Sequence, residues 1–151
     1  MKAISILLIG LLFSFASFSQ VSKVDSYLLW SDEFDQDGLP SPLRWSFEVG
    51  DHGWGNNELQ YYTDSLDNVR VQNGVLTITA STDGYAQYGY TSGRVRTMNK
   101  ADFTYGVFEV CAKMPTGLGT WPAIWMLPTD WAYGPWPGSG EIDILEHVGY
   151  D

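Results

Sequence analysis

The sequence predicts an all-β protein with the architecture of a β-sandwich. Short runs of strand character recur between turns rich in Gly and Pro, and this spacing is typical of sandwiches. No stretch carries the long 3.6-residue apolar period of an amphipathic helix. Asn73-Gly74 lies between two alternating apolar runs, which is the strongest short-range signal for a β-hairpin. Because no internal repeat or second domain is evident, residues 21–151 are predicted to belong to one domain.

The first 20 residues have the pattern of a secretory signal peptide. Lys2 precedes an apolar run at residues 4–13, and small residues follow around Ala16 and Ser17. The run is too short for a membrane anchor, and no Cys follows it directly to carry a lipid. A buried N-terminal helix is the alternative. The pattern predicts secretion, to the periplasm or the medium, without a membrane anchor.

The remaining strands are predicted from alternation and from turn residues. In the hairpin, residues 69–80, alternation directs Leu76, Ile78 and Ala80 toward the core and the intervening threonines outward. Further strands are predicted at residues 92–97, 105–114, 121–127 and 141–148, with Pro122 interrupting the third. Residues 130–139, rich in Trp, Gly and Pro, are predicted to form a loop.

Composition narrows the class of ligand. The net charge of −10 argues against nucleic acid and against an anionic membrane surface as partners, and it favours a neutral substrate. Seven Trp and nine Tyr suit a carbohydrate, because the C–H faces of pyranose rings stack on aromatic rings. The alternative is that these aromatic residues fill a β core, and we expect this for half of them.

The most informative segment is residues 140–147, where Glu141, Asp143 and Glu146 alternate with Ile and Leu. In a regular strand the first two acids share one face, whereas Glu146 falls on the apolar face, where an unpaired carboxylate is costly. One extra residue at Ile144-Leu145 returns Glu146 to the face of the other acids, and such β-bulges are frequent near active sites. The segment is therefore predicted to be a bulged strand that presents three acids to a cleft.

Three like charges on one strand face repel each other, and glycoside hydrolysis gives a reason for that cost. A retaining glycosidase needs one ionised carboxylate and a second, protonated carboxyl group about 5–5.5 Å away. Repulsion between the acids favours keeping one of them protonated. A calcium site of the EF-hand type is the alternative, but it requires a Gly turn and none interrupts residues 142–145.

The segment GEIDILE resembles the active-site motif of glycoside hydrolase family 16 in its bulged form. WSDEF at residues 30–34, WGNNELQYYT at 54–63 and WPAIWMLP at 121–128 resemble the bacterial endo-β-1,3-glucanases (laminarinases) of that family. The resemblance implies a concanavalin-like β-jelly roll, a retaining mechanism, Glu141 as nucleophile, Glu146 as acid/base and Asp143 as their assistant. Agarases and carrageenases share the bulged motif, and relatives that bind glucan without cleaving it lack the acids.

The resemblance also bears on the extent of the domain. Family 16 domains are longer than this chain, and strands that complete both sheets normally follow the catalytic motif. It therefore implies that residues 21–151 are the N-terminal part of one catalytic domain, an incomplete jelly roll with exposed apolar faces. The whole protein is expected to act as a secreted monomer on β-1,3-glucan or mixed-linkage β-1,3-1,4-glucan.

Five residues are predicted to contact the substrate. Trp121 and Trp125, four apart in a strand, share a face and form either a sugar platform or a core pair; the resemblance favours the platform. Trp136 in the following loop is a weaker candidate. Arg94 is either a solvated surface residue or a donor to sugar hydroxyls near the acids. Asn57 is either a turn residue at positive φ or a substrate contact, and the resemblance favours contact.

No cofactor is predicted for catalysis. The resemblance implies a structural calcium distant from the cleft, with Glu33 and a carbonyl near Gly74 among its ligands; with a ligand missing, we expect weak binding. His52 and His147 are too few and too far apart to bind zinc. Cys111 has no partner for a disulfide within the chain and is predicted to be a buried or half-buried thiol without chemistry.

Overall fold

The structure, a computed structural model, describes residues 27–149. The predicted signal peptide lies outside the described residues and stays a prediction. Residues 27–31 have no regular structure and belong to a separate unit from residues 32–149. Every element below belongs to the second unit.

The described residues form eight short strands and one 3₁₀ turn at Gly53–Gly55. The strands are β1 (Ser46–Phe47), β2 (Gln60–Tyr62), β3 (Val69–Gln72), β4 (Val75–Ile78), β5 (Tyr90–Ser92), β6 (Val95–Arg96), β7 (Ala123–Met126) and β8 (Ile142–Glu146). They pair as four two-stranded sheets, of which β1–β6, β3–β4 and β7–β8 are antiparallel and β2–β5 is parallel. Within residues 27–149, no helix is long and apolar enough to cross a membrane. The all-β prediction is confirmed.

The hairpin β3–β4 contains the best buried apolar side chains. Its turn is made by Asn73 and Gly74, both at positive φ, as the primed turns of tight hairpins require. Val69 and Val71 are fully buried, whereas the residues between and after them face solvent. Val69 pairs with Ile78 and Val71 with Leu76, so these four side chains share one face. The predicted hairpin is confirmed, with Leu76 on its core face; Ile78 lies on the same face but is half exposed, and Ala80, beyond the end of β4, is exposed, so its predicted place in the core is wrong.

A buried polar network joins the hairpin to β5. The side-chain amide of Asn68 donates to the carbonyl oxygen of Thr79 and to Oγ1 of Thr91, both at 3.0 Å. Its Oδ1 accepts from Oγ1 of Thr63 at 2.6 Å. Because every polar atom of the Asn68 side chain is paired, its burial costs little.

Several predicted strands differ from the structure. Residues 105–114 form no strand, because a strand exists only through ladder bonds to a partner and no described strand pairs with them. The strand predicted at residues 92–97 is interrupted at Gly93 and Arg94, which leaves the two short strands β5 and β6. β7 begins directly after Pro122, which cannot donate to a ladder.

Gly93 lies where a side chain has no room. A Cβ at this position would overlap Cγ2 of the buried Val69 and would lie 3.1 Å from the carbonyl oxygen of Asn68. We expect Gly93→Ala to lower the free energy of unfolding by about 1–3 kcal/mol, measured by urea denaturation. Gly89→Ala is the matched control, because a Cβ there meets nothing within 4 Å. Equal destabilisation by the two substitutions would contradict this account.

Candidate active site

The ladder between β7 and β8 contains the predicted bulge. Glu146 pairs with Ala123, and Asp143 pairs with Trp125, so the register shifts and Ile144 is left without a partner. Residues directly opposite each other in a ladder lie on the same face of the sheet. Since Ala123 and Trp125 are two apart, they share a face, and Asp143 and Glu146 lie on that face with them. The bulge prediction is confirmed.

Glu141 precedes the first residue of β8, and alternation places it on the same face as Asp143. We call this face, with Glu141, Asp143, Glu146, Trp121 and Trp125, the acidic face. All three acids are exposed to solvent. Each glutamate also accepts one indole N–H: Nε1 of Trp121 donates to Oε1 of Glu146 at 3.0 Å, and Nε1 of Trp136 donates to Oε2 of Glu141 at 2.9 Å. The structure thus gives each of the two glutamates predicted to react one of the predicted tryptophans as a hydrogen-bond donor.

The loop that carries Trp136 is held by its own hydrogen bonds. Ser139 Oγ accepts from the backbone N–H of Tyr133 at 3.1 Å and donates to the carbonyl of Gly134 at 2.6 Å. Trp131 and Trp136 flank an open, largely apolar cavity of about 440 Å³. A loop closed on itself in this way keeps the Trp136 side chain next to Glu141.

Arg94 lies among three aromatic rings. Its Cζ is 5.0 Å from the ring centroid of Trp54, 5.7 Å from that of Tyr62 and 4.9 Å from that of Trp125. These distances are within the range of cation–π attraction. Because Trp125 pairs with Asp143, Arg94 links the acidic face to the sheets formed by β1–β6 and β2–β5.

The charge of Arg94 is compensated by two acids that lie outside the acidic face. Its guanidinium forms an ion pair with Glu48 and lies 3.9 Å from Oε1 of Glu58, and Arg96 also pairs with Glu48. Within residues 27–149, no cationic side chain makes an ion pair with Glu141, Asp143 or Glu146. Arg94 is therefore not a solvated surface residue, and its contact with sugar hydroxyls stays a prediction.

Tyr62 and Glu58 form a polar pair beneath Arg94. The Tyr62 hydroxyl donates to Oε2 of Glu58 at 2.5 Å, and the Gln60 amide donates to both groups. Burial, together with the adjacent Glu58 carboxylate, raises the pKa of Tyr62 from 10.0 to about 12. The Glu58 side chain thus bonds within its own segment, while the neighbouring Asn57 is exposed at a positive φ of 56°. A substrate contact by Asn57 stays a prediction.

The raised pKa of Tyr62 predicts a loss of stability in alkali. Between pH 10 and pH 12 the unfolded chain releases the Tyr62 proton while the native protein retains it, so the free energy of unfolding falls as pH rises. The full loss is about 3 kcal/mol. Urea denaturation at several pH values should show a shallower decline for Tyr62→Phe than for the wild type. Parallel declines would exclude Tyr62 as the titrating group.

The two residues predicted to bind a structural calcium, Glu33 and Gly74, lie near each other. A Cβ built on Gly74 would lie 3.9 Å from the carbonyl oxygen of Glu33. Within residues 27–149, no group of three or more His, Cys, Asp or Glu could hold a metal ion. Calcium takes about six to eight oxygen ligands, which include backbone carbonyls and water, so the structural calcium stays a prediction. Cys111 is exposed rather than buried, because residues 105–114 do not join a sheet.

Two contacts of the site were missed from the sequence. Glu48 and Trp54 hold Arg94, but neither carries a sequence signal of this role. Glu48 follows the two-residue strand β1, whose pairing with β6 brings together positions almost fifty residues apart. The run of Trp and Gly around Trp54 was the only available signal, and it indicated a turn.

Comparisons with known proteins agree with this geometry. Residues 55–151 match the family model described as XgeA-like, catalytic GH16 domain. A β-glucanase of Rhodothermus marinus is 57% identical over 127 residues, which is 82% of this chain and 44% of that protein. Glucan endo-1,3-beta-glucosidase A1 of Niallia circulans is 45% identical over 139 residues, which is 81% of this chain and 20% of that protein.

The structural comparison gives the same result. The crystal structure of the laminarinase from Rhodothermus marinus has a TM-score of 0.79 at 57% identity, covering 82% of this chain and 51% of that one. The fold is therefore the predicted jelly-roll β-sandwich, of the kind that glycoside hydrolases use to present carboxylates on a strand. The chain belongs to glycoside hydrolase family 16. It spans about half the length of the laminarinase structure and less of the two other relatives.

Proposed function

We propose that the protein is a retaining endo-glycosidase that hydrolyses β-1,3-glucan. The observation that carries the proposal is the bulge at Ile144, because it turns Asp143 and Glu146 to one side of β8, next to Glu141. The names of the relatives, β-glucanase, glucan endo-1,3-beta-glucosidase and laminarinase, support a β-glucan as substrate. Mixed-linkage β-1,3-1,4-glucan is the second candidate substrate.

The proposed mechanism has two steps, in which Glu141 and Glu146 have different roles. The ionised carboxylate of Glu141 attacks the anomeric carbon, the glycosidic C–O bond breaks, and Glu146 protonates the departing oxygen. Glu146 then removes a proton from a water molecule, whose oxygen attacks the same carbon and releases Glu141. Asp143 lies between them along the strand and holds the geometry of the nucleophile. Two inversions give net retention.

The surrounding aromatic residues are proposed to bind the sugar. Trp121 and Trp136 present exposed rings beside the two glutamates, and pyranose faces stack on such rings. Trp125 belongs to the acidic face and contacts Arg94, so a sugar bound on this face is proposed to meet both residues. Asn57 is the proposed polar contact of the neighbouring loop.

The proposal is tested by reducing-sugar release from laminarin, lichenan, agarose and carrageenan. The protein as its gene encodes it should cleave laminarin fastest and lichenan second, with product length showing endo cleavage. Preferential cleavage of agarose or carrageenan would redirect the assignment within the family. Binding of laminarin without any cleavage would identify a glucan-binding module and refute the catalytic proposal.

Secretion, the monomeric state and the role of metal ions are proposed from the sequence. The N-terminal pattern supports secretion, which mass spectrometry of the protein in the culture medium tests. Light scattering during chromatography tests whether the whole protein is a monomer. The mechanism uses acidic side chains alone, so EDTA should leave the rate unchanged. A fall in the thermal midpoint with EDTA would instead support a structural calcium at Glu33 and Gly74.

A further inference from the structure

We infer that Trp136 and Trp121 position the two reacting carboxylates through their indole N–H groups, in addition to any stacking on sugar. The inference rests on the proposed function, because it assigns a role in the same hydrolysis. It concerns the edges of the indole rings, whereas a sugar platform uses their faces.

The hydrogen bonds select one oxygen of each glutamate. Trp136 bonds Oε2 of Glu141 and Trp121 bonds Oε1 of Glu146, both at ordinary lengths. No other donor from the described part of the chain bonds either carboxylate. Glu141 therefore keeps Oε1 for attack on the anomeric carbon, and Glu146 keeps Oε2 for the proton it transfers.

A neutral donor is suited to this task. A Lys or Arg in the same place would hold the carboxylate of Glu141 but would also compensate its charge, and the attack on carbon depends on that charge. An indole N–H fixes orientation without supplying a full positive charge. The guanidinium of Arg94, which contacts Trp125 of the acidic face, is itself paired with Glu48 and Glu58.

The two tryptophans are supported in different ways. Trp136 belongs to the loop closed by Ser139, and Trp121 lies just before β7 on the acidic face. Their side chains remain 65% and 52% exposed, so the ring faces are open to a sugar while the edges contact the glutamates. A bound sugar would exclude water from these hydrogen bonds and strengthen them.

Replacing each Trp by Phe separates the two roles. Phe keeps an aromatic face for stacking and removes the N–H. The variants are made in the protein as its gene encodes it. We expect Trp136→Phe and Trp121→Phe each to lower kcat on laminarin by about 10- to 100-fold, because each loses a hydrogen bond to a charged group. The KM for laminarin should change by less than about threefold. Trp45→Phe is the matched control: it removes an indole N–H that donates to Oδ2 of Asp32 at 2.7 Å, outside the acidic face, and should leave both constants unchanged.

A second replacement distinguishes loss of the N–H group from misfolding of the variant. Incorporation of 3-benzothienylalanine at position 136 keeps the shape of the indole and replaces only its N–H by sulfur. We expect the same loss of kcat with an unchanged thermal midpoint. Variants that hydrolyse laminarin with wild-type kcat and a raised KM would show stacking alone and overturn the inference. A wild-type protein that cleaves no glucan would instead refute the proposed function.

Discussion

Replacing Glu141 by Gln is expected to lower the rate of laminarin hydrolysis by about 10⁴-fold or more, because the variant has no charged oxygen to attack the anomeric carbon. Gln is isosteric with Glu and can still accept the indole N–H of Trp136. The affinity for laminarin should therefore stay within about threefold of the wild type, measured by titration calorimetry. Reducing-sugar release under saturating substrate gives the rate.

A matched substitution and a rescue experiment complete this test. Glu109→Gln changes an exposed glutamate outside the acidic face and should leave the rate unchanged. Glu141→Ala opens space for azide, which can displace an activated leaving group in one inversion and give the α-glycosyl azide. Hydrolysis that persists in Glu141→Gln would eliminate Glu141 as the nucleophile.

Local patterns of the sequence were sufficient for the acidic strand and the hairpin. The bulge could be predicted because three acids within six residues can lie on one face of a strand only if one residue is skipped. In the structure, Ile144 is the residue left without a partner. The hairpin could be predicted because Asn73 and Gly74 adopt positive φ at low cost. Both features depend on residues adjacent in the chain.

Features that depend on distant pairing could not be predicted in the same way. Residues 105–114 alternate like a strand, yet a strand needs a partner, and alternation alone does not supply one. Arg94 was placed near the acids by resemblance, but its charge is compensated by Glu48 across the β1–β6 pairing. That register is a property of the folded sheet, and two-residue strands leave no periodic signal.

The hydrogen bonds of the two indole N–H groups likewise could not be predicted from the sequence. The sequence predicted that Trp121 and Trp136 offer ring faces to a sugar. It could not show which way their N–H groups point, because that depends on the loop closed by Ser139 and on the start of β7. The contacts with Glu141 and Glu146 emerge only from the assembled loop and strand.

Glu146→Gln is expected to lower the rate on laminarin by about 10²- to 10⁴-fold, the usual contribution of a general acid/base. Unlike Glu141→Gln, this variant keeps its nucleophile, so the deficit should depend on the leaving group. A dinitrophenyl glycoside needs no protonation to depart and should still form the glycosyl-enzyme, seen as a burst of dinitrophenolate. The slow step is then release of Glu141, because no base activates water.

Azide distinguishes this role from that of Glu141 by stereochemistry. It is a nucleophile that needs no general base, so it should restore turnover of the dinitrophenyl glycoside by Glu146→Ala. The product should be the β-glycosyl azide, since two inversions have occurred, whereas Glu141→Ala gives the α-anomer. The same anomer from both variants would mean that the two glutamates do not divide the roles of nucleophile and acid/base, and the bulge at Ile144 would then need another explanation.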